Sequence, residues 1–397
     1  MNLMAKALLA SLLTVPIASY AEPPSVTLYL LGYQIPDERR MSVVEQDIQA
    51  FNIYQQNRVK ATYFNPMNQS APQSKRDAFE SLDPYTLTLC DFSDFSYCLA
   101  QIKNNTESYR QSIETLEPVF HDIDKLRQAN SSELKSVFPS NLQLMSSPLP
   151  SYQLITKTLL TKNALIFHDD PKQALIQICA DVAFGKSLIR SQQNLIQSMV
   201  GTMIVHSQLD LLAQSSQPLP SSCQQALTPM KRAGTSMCPL VKSESRQMTN
   251  EIMATPRTPI LFSRRASIKQ LEKWAQPYCA DERLVSIYRD KRMPAILIEA
   301  YKPLFFNKIG ALLLNVAMPD YSAYQYRLQD ANAHLRLWQA ALSAQCNTDS
   351  AHYVESVAKG WQPTRQLRLD SQRLTIDTYD KSTYPQLSLQ CRIFAKN

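Results

Sequence analysis

Histidine beside carboxylate is the pairing in this chain whose residue types could do chemistry, and it occurs twice, as His168-Asp169-Asp170 and as His121-Asp122-Ile123-Asp124. An imidazole nitrogen with carboxylate oxygens in reach can act as a general base with an orienting acid, or supply ligands to a metal. A plainer role competes with that one at His168, Asp169 and Asp170. The two acids stand immediately before Pro171, where Asp170 can cap a helix, proline fits the first helical position and negative charge complements the helix dipole. The plainer role is the stronger, so these three residues stand as catalytic candidates only, and neither a metal nor a cofactor is expected. Two further histidines, His206 and His334, fall in helical stretches and read as packed core or interface residues.

Local motifs of the common single-motif enzymes are missing: the sequence has no G-x-S-x-G elbow, H-E-x-x-H pair, phosphate loop, dinucleotide fingerprint or EF-hand loop. A triad assembled from distant residues would leave no such trace. Charge points elsewhere. The formal net charge is +7, and the stretch from Arg257 to Arg292 holds nine Lys/Arg against four Asp/Glu. Arg264, Arg265, Lys269 and Lys273 are the candidate contacts for an anionic envelope component or an acidic protein partner, against the alternative of a solvated helix face. Nucleic acid is not expected, because aromatics are not interleaved with the basic residues. Tyr321, Tyr324 and Tyr326 cluster at one helix start and read as packing rather than as a sugar or peptide groove.

The elements that must position these residues read as helices. Glycine occurs only six times in 397 residues, which disfavours folds that spend it on tight turns, bulges and phosphate loops, and 24 prolines supply helix stops. With 44% apolar and 19% charged residues the chain is long and apolar enough for a substantial core, and no internal apolar run is long enough to span a membrane. Val26 to Tyr33 is ambiguous between strand and helix, and Asp47 to Tyr54 reads as helix. Tyr109, Ile113, Leu116, Phe120, Ile123 and Leu126 recur at spacings of four and three, one helical face with a kink expected at Pro118. From Pro171 to Gln214 nothing stops a helix, which unbroken would run about 65 Å, with Gly185 and Gly201 as weak or close-approach points. Its apolar residues spread over several faces, as in a buried central helix. Asp320 can cap a further helix carrying Tyr324, Leu328, Ala331, Leu335, Trp338 and Leu342 on one stripe. Near the end, Arg373 to Tyr379 and Gln386 to Ile393 alternate polar and apolar, the pattern of a β-hairpin.

Met1 to Ala21 has the order of a cleaved secretory leader: a lysine, an apolar run from Ala7 to Ile17, then small residues. Behind such a leader the eight cysteines, Cys90, Cys98, Cys179, Cys223, Cys238, Cys279, Cys346 and Cys391, are expected to form bridges. They allow about 105 connectivities. The expectation adopted is Cys90 with Cys98, Cys223 with Cys238 across a proline-rich loop, Cys179 with Cys279, and Cys346 with Cys391. The division expected is a 1–21 leader, a helical region 22–220 and a second helical region 221–397 ending in the hairpin, with one continuous domain over the last two as the alternative.

The Cys90…Cys98-Leu99-Ala100 loop ahead of an amphipathic helix, the long central helix, the Tyr324 to Leu342 helix and the C-terminal hairpin together resemble uncharacterised exported helical proteins of Gram-negative bacteria. The resemblance implies a periplasmic setting and a helical fold, and brings no activity or catalytic residue with it. The expected protein is mainly α, a disulfide-stapled multi-helix bundle with a small C-terminal β-hairpin. Its expected function is that of a non-enzymatic periplasmic cell-envelope protein, a binding, scaffold or assembly factor. The alternative is an envelope hydrolase or transferase with a non-local active site.

Overall fold

The computed structural model describes residues 33–34, 87–91, 95–117, 120, 123–124, 127, 135–136, 152–191, 195–254, 262–294, 307, 321–344, 365, 367–370, 373–381 and 386–390. Among them the fold is mainly helical: α1 (Phe95–Asn104), α2 (Thr106–Thr115), α3 (Tyr152–Asp169), α4 (Pro171–Ser191), α5 (Leu195–Leu212), α6 (Ser222–Leu227), α7 (Cys238–Ala254), α8 (Arg264–Ala275), α9 (Asp281–Tyr288) and α10 (Ser322–Ala344). A two-residue strand β1 (Tyr33–Gln34) pairs antiparallel with β2 (Lys135–Ser136). At the C-terminus β3 (Leu367–Asp370), β4 (Arg373–Asp377) and β5 (Gln386–Gln390) form an antiparallel sheet in that order. The expected hairpin is β4 and β5, with Leu374 opposite Leu389 and Ile376 opposite Leu387. Sequence reading missed β3, whose side chains alternate only over Leu367 and Leu369. The Val26 to Tyr33 and Asp47 to Tyr54 stretches lie outside the described residues, apart from Tyr33 in β1.

The stretch from Pro171 to Gln214 is two helices rather than one 65 Å rod. Gly185 and Gly201 explain the fold-back. A Cβ on Gly201 would stand 2.6 Å from the Gly185 carbonyl oxygen, and one on Gly185 would stand 2.9 Å from that of Gly201. Residues 16 apart in one straight helix would lie about 24 Å from each other, so α4 and α5 run antiparallel with their backbones touching at these glycines. The helix start is as expected, with Asp170 Oδ1 accepting from the amides of Lys172 and Gln173 at 3.0 and 3.1 Å. Almost every residue of α5 is buried, because α3, α4 and α10 surround it. In α2 and beyond, Tyr109, Leu116, Phe120 and Ile123 are buried as the spacing predicts; α2 ends at Thr115, and Pro118, where a kink is expected, lies outside the described residues. Leu126 and Asp320 are outside the described residues. On α10, Leu328, Ala331, Leu335 and Trp338 are buried, with Tyr324 and Leu342 packed beside them. One hydrophobic cluster runs from Cys90 to Leu389.

Among the described residues three bridges staple the helices. Cys90 joins Cys98 as expected. The pairings Cys223 with Cys238 and Cys179 with Cys279 are corrected: Cys179 of α4 joins Cys223 of α6, and Cys238 of α7 joins Cys279. The segment between Cys223 and Cys238 is not a slack loop. It forms α6, packed along α4, and then a 3-10 turn (Arg232–Thr235), which deliver the two cysteines to different neighbours. Cys346 and Cys391 lie outside the described residues.

Candidate functional site

The His168-Asp169-Asp170 group sits on an exposed corner between α3 and α4. Asp169 accepts from Arg110 Nη2 at 3.1 Å, tying α2 to the corner, and Asp170 is occupied as the α4 cap. Among the described residues no three His, Cys, Asp or Glu side chains converge as a metal site would require. His121 lies outside the described residues.

The basic candidates fall on α8. Ser263 caps it, its hydroxyl accepting from the Ala266 amide at 3.3 Å, and Asn307 holds its start by accepting from the Ser263 amide at 2.9 Å. Ser267, Gln270, Leu271 and Trp274 are buried, which fixes the inward face. Arg265, Lys269 and Lys273 follow at intervals of four on the opposite face and are exposed, whereas Arg264 is half-buried. None of the three exposed side chains is in an ion pair among the described residues. The Cys238 to Cys279 bridge, just past the end of α8, anchors it to α7.

His206 and His334 are packed core residues as read from the sequence, but a second group was missed, the buried polar seam they form between α5 and α10. His206 and Asp210 stand one turn apart on α5, and Asp330 and His334 one turn apart on α10. The two Nδ1 atoms of His206 and His334 are 3.1 Å apart, and His334 Nε2 lies 3.7 Å from Asp210 Oδ1. Burial depresses both imidazoles, His206 to about 4 and His334 well below its ordinary value. Behind them Asp330 is fully engaged: Oδ1 accepts from Arg365 Nη1 and from the Tyr379 amide at 2.9 Å, and Oδ2 from the Asp380 amide at 2.8 Å. Arg365 also lies with Nε 3.0 Å from Asp290 Oδ2 and with its guanidinium 3.6 Å over the Tyr379 ring. The signal that could have found this seam was the pair of acid and histidine residues spaced four apart on two amphipathic stripes.

A third buried network lies on the other side of α5. Asn163 of α3 donates to Asp181 at 2.6 Å and to Gln208 at 2.8 Å, and Arg127 pairs with the same Asp181. Burial raises the Asp181 carboxyl and Arg127 opposes the rise. Lys186, pushed down to about 8 by burial, donates to the Ala226 and Thr228 carbonyls at 2.7 Å each, and so closes the end of α6.

No protein-family model matches the chain, and no curated protein or solved structure is similar to it. Among the described residues no helix is long and apolar enough to cross a membrane.

Proposed function

We propose that this chain is an exported, disulfide-bridged cell-envelope protein of the periplasm, a non-enzymatic binding, scaffold or assembly factor, and that it docks through the exposed basic face of α8 onto an anionic envelope surface. The observation that carries this reading is the stripe of Arg265, Lys269 and Lys273. Three cations stand four residues apart on a helix whose apolar face is already used by Leu271 and Trp274. Such a helix offers charge and no free apolar face, so it suits a salt-sensitive surface contact rather than insertion. The three bridges favour an oxidising compartment, as the leader-like first residues do. The His168 group, the seed of the hydrolase or transferase alternative, is already used for helix capping and an ion pair.

Each basic residue near an anionic surface contributes about 1 kcal/mol. Reversing three, as Arg265→Glu, Lys269→Glu and Lys273→Glu, should lower co-sedimentation with anionic phospholipid vesicles by at least about 100-fold in affinity. Wild-type binding should also weaken steeply as salt is raised. Equal binding by wild type and triple variant would overturn the docking face.

A further inference from the structure

Helices α5 and α10 meet through a histidine pair whose geometry admits only some protonation states. His206 and His334 are 3% and 1% exposed, and their Nδ1 atoms are 3.1 Å apart. At that distance one nitrogen donates and the other accepts, which works with two neutral rings or with one shared proton. Full protonation points two N–H donors at each other in a site without water's dielectric. We propose that this pair is an acid-operated latch, releasing α10, and the β4 and β5 strands packed on it, from α5 when both rings are protonated. The latch is independent of the α8 docking face.

The charged groups around the pair are already committed. Asp330 and Asp380 favour an imidazolium at His206 and Arg365 opposes it. Asp330 is bonded by Arg365 and two amides, and Asp380 accepts from Arg327 Nε at 2.8 Å. Asp290, farther off, is paired with Arg365. From α5 itself comes Asp210, 3.7 Å from His334. Of the other elements packed on these helices, α3 brings Lys162, which lies over the Phe120 ring, and α4 brings Asp181 and Lys186, bonded as described above. Helix α7 brings Glu244, which accepts from the Leu195 amide, α6 carries no charged residue, α1 carries the exposed Lys103, and Arg336 of α10 itself acts on Asp290.

Burial holds the closed-state imidazoles below their ordinary 6.5, and opening restores it. Below about pH 6.5 the open state therefore binds protons that the closed state does not, and the closed state loses ground until about pH 4. Asp210 acts in the opposite sense. Burial raises its carboxyl, so opening releases a proton from it, but a quarter of its side chain is open to solvent, which screens the effect. At pH 6.5 each opened ring is only half protonated and the Asp210 release offsets the uptake, whereas by about pH 5.5 the net uptake reaches about one to two protons. Below about pH 5.5 the opening constant should then rise about 10-fold to 100-fold per pH unit.

The test is hydrogen exchange of the full chain between pH 6.5 and 4.5, corrected for intrinsic exchange, with tryptophan fluorescence, to which Trp338, fully buried one turn beyond His334, contributes with Trp274 and Trp361, as a second readout. Below about pH 5.5 exchange in α10 should accelerate by about 10-fold or more per pH unit while α4 stays protected, and tryptophan emission should shift to the red. The double variant His206→Asn with His334→Asn, whose amides can bond without titrating, should lose this dependence. A flat wild type, or the same slope in the variant, overturns the latch. If the variant does not fold, the ring-proton resonances of wild type decide. Two rings that stay neutral to below pH 5 and titrate only as α10 opens support it; titration near pH 6.5 without opening overturns it.

Discussion

Arg365 holds more of the C-terminal half together than any neighbouring residue type would suggest, because its guanidinium reaches Asp330 on α10, Asp290 at the end of α9, the Asp377 carbonyl on β4 and the Tyr379 ring. Removing it would take the guanidinium from both acids, leaving buried Asp330 with two backbone amides and half-buried Asp290 with Gln329 Nε2, so Arg365→Met should cost about 3–5 kcal/mol in urea unfolding. Asp290 adds a backbone effect. It closes α9 with φ 52°, while its amide bonds to Ile287 O at 2.8 Å and the Lys291 amide to Ser286 O at 2.9 Å, a helix end where glycine is usual. Asparagine tolerates that conformation and alanine does not. Both Asp290→Asn and Asp290→Ala should destabilise through the lost Arg365 pair, with alanine worse by about 1 kcal/mol in the same measurement. Residue types alone did not disclose this cluster, because its members are separated by up to 89 positions. His168, by contrast, drew notice through its neighbours, and those neighbours proved to be capping and pairing groups.

Among the elements, the α4–α5 hairpin shows what periodicity can and cannot give. Apolar residues on all faces marked α5 as central, and the α10 stripe from Leu328 to Trp338 was legible in full, because burial acts on both at every turn. The reversal was not legible, since no proline marks it and its only sign was a pair of glycines 16 residues apart. Those glycines permit a backbone contact, so Gly201→Ala sets a methyl against the Gly185 carbonyl at 2.6 Å and Ile189 at 2.9 Å. Alanine's better helix propensity, about 1 kcal/mol, should not offset the overpacking. We expect a net loss of about 1–2 kcal/mol and a lower thermal midpoint. Of the three described bridges one was legible, for a related reason: Cys90 and Cys98 are eight residues apart and find each other locally, whereas Cys179 and Cys223 meet only because α6 packs along α4.

At the scale of the molecule, one core from Cys90 to Leu389 is stapled by bridges that each close a different junction: the entrance of α1, the α4–α6 contact and the α7–α8 corner that carries the basic face. Loss of the Cys179 to Cys223 bridge through paired Cys→Ala changes should cost about 2–5 kcal/mol, read as a lower midpoint in non-reducing thermal melts. The mainly helical class and the C-terminal β-hairpin were readable from glycine scarcity and alternation, whereas the partner of each cysteine depended on packing that no local pattern encodes. Exported, bridged helices are the foundation of the functional proposal, so the most direct test is non-reducing peptide mapping of the alkylated protein isolated from cells. We predict linked peptides for Cys90 with Cys98, Cys179 with Cys223 and Cys238 with Cys279, and no alkylation at these six positions. Free thiols at most of them would contradict an exported, stapled protein, and a Cys223 to Cys238 link would contradict the packing of α6 and α7.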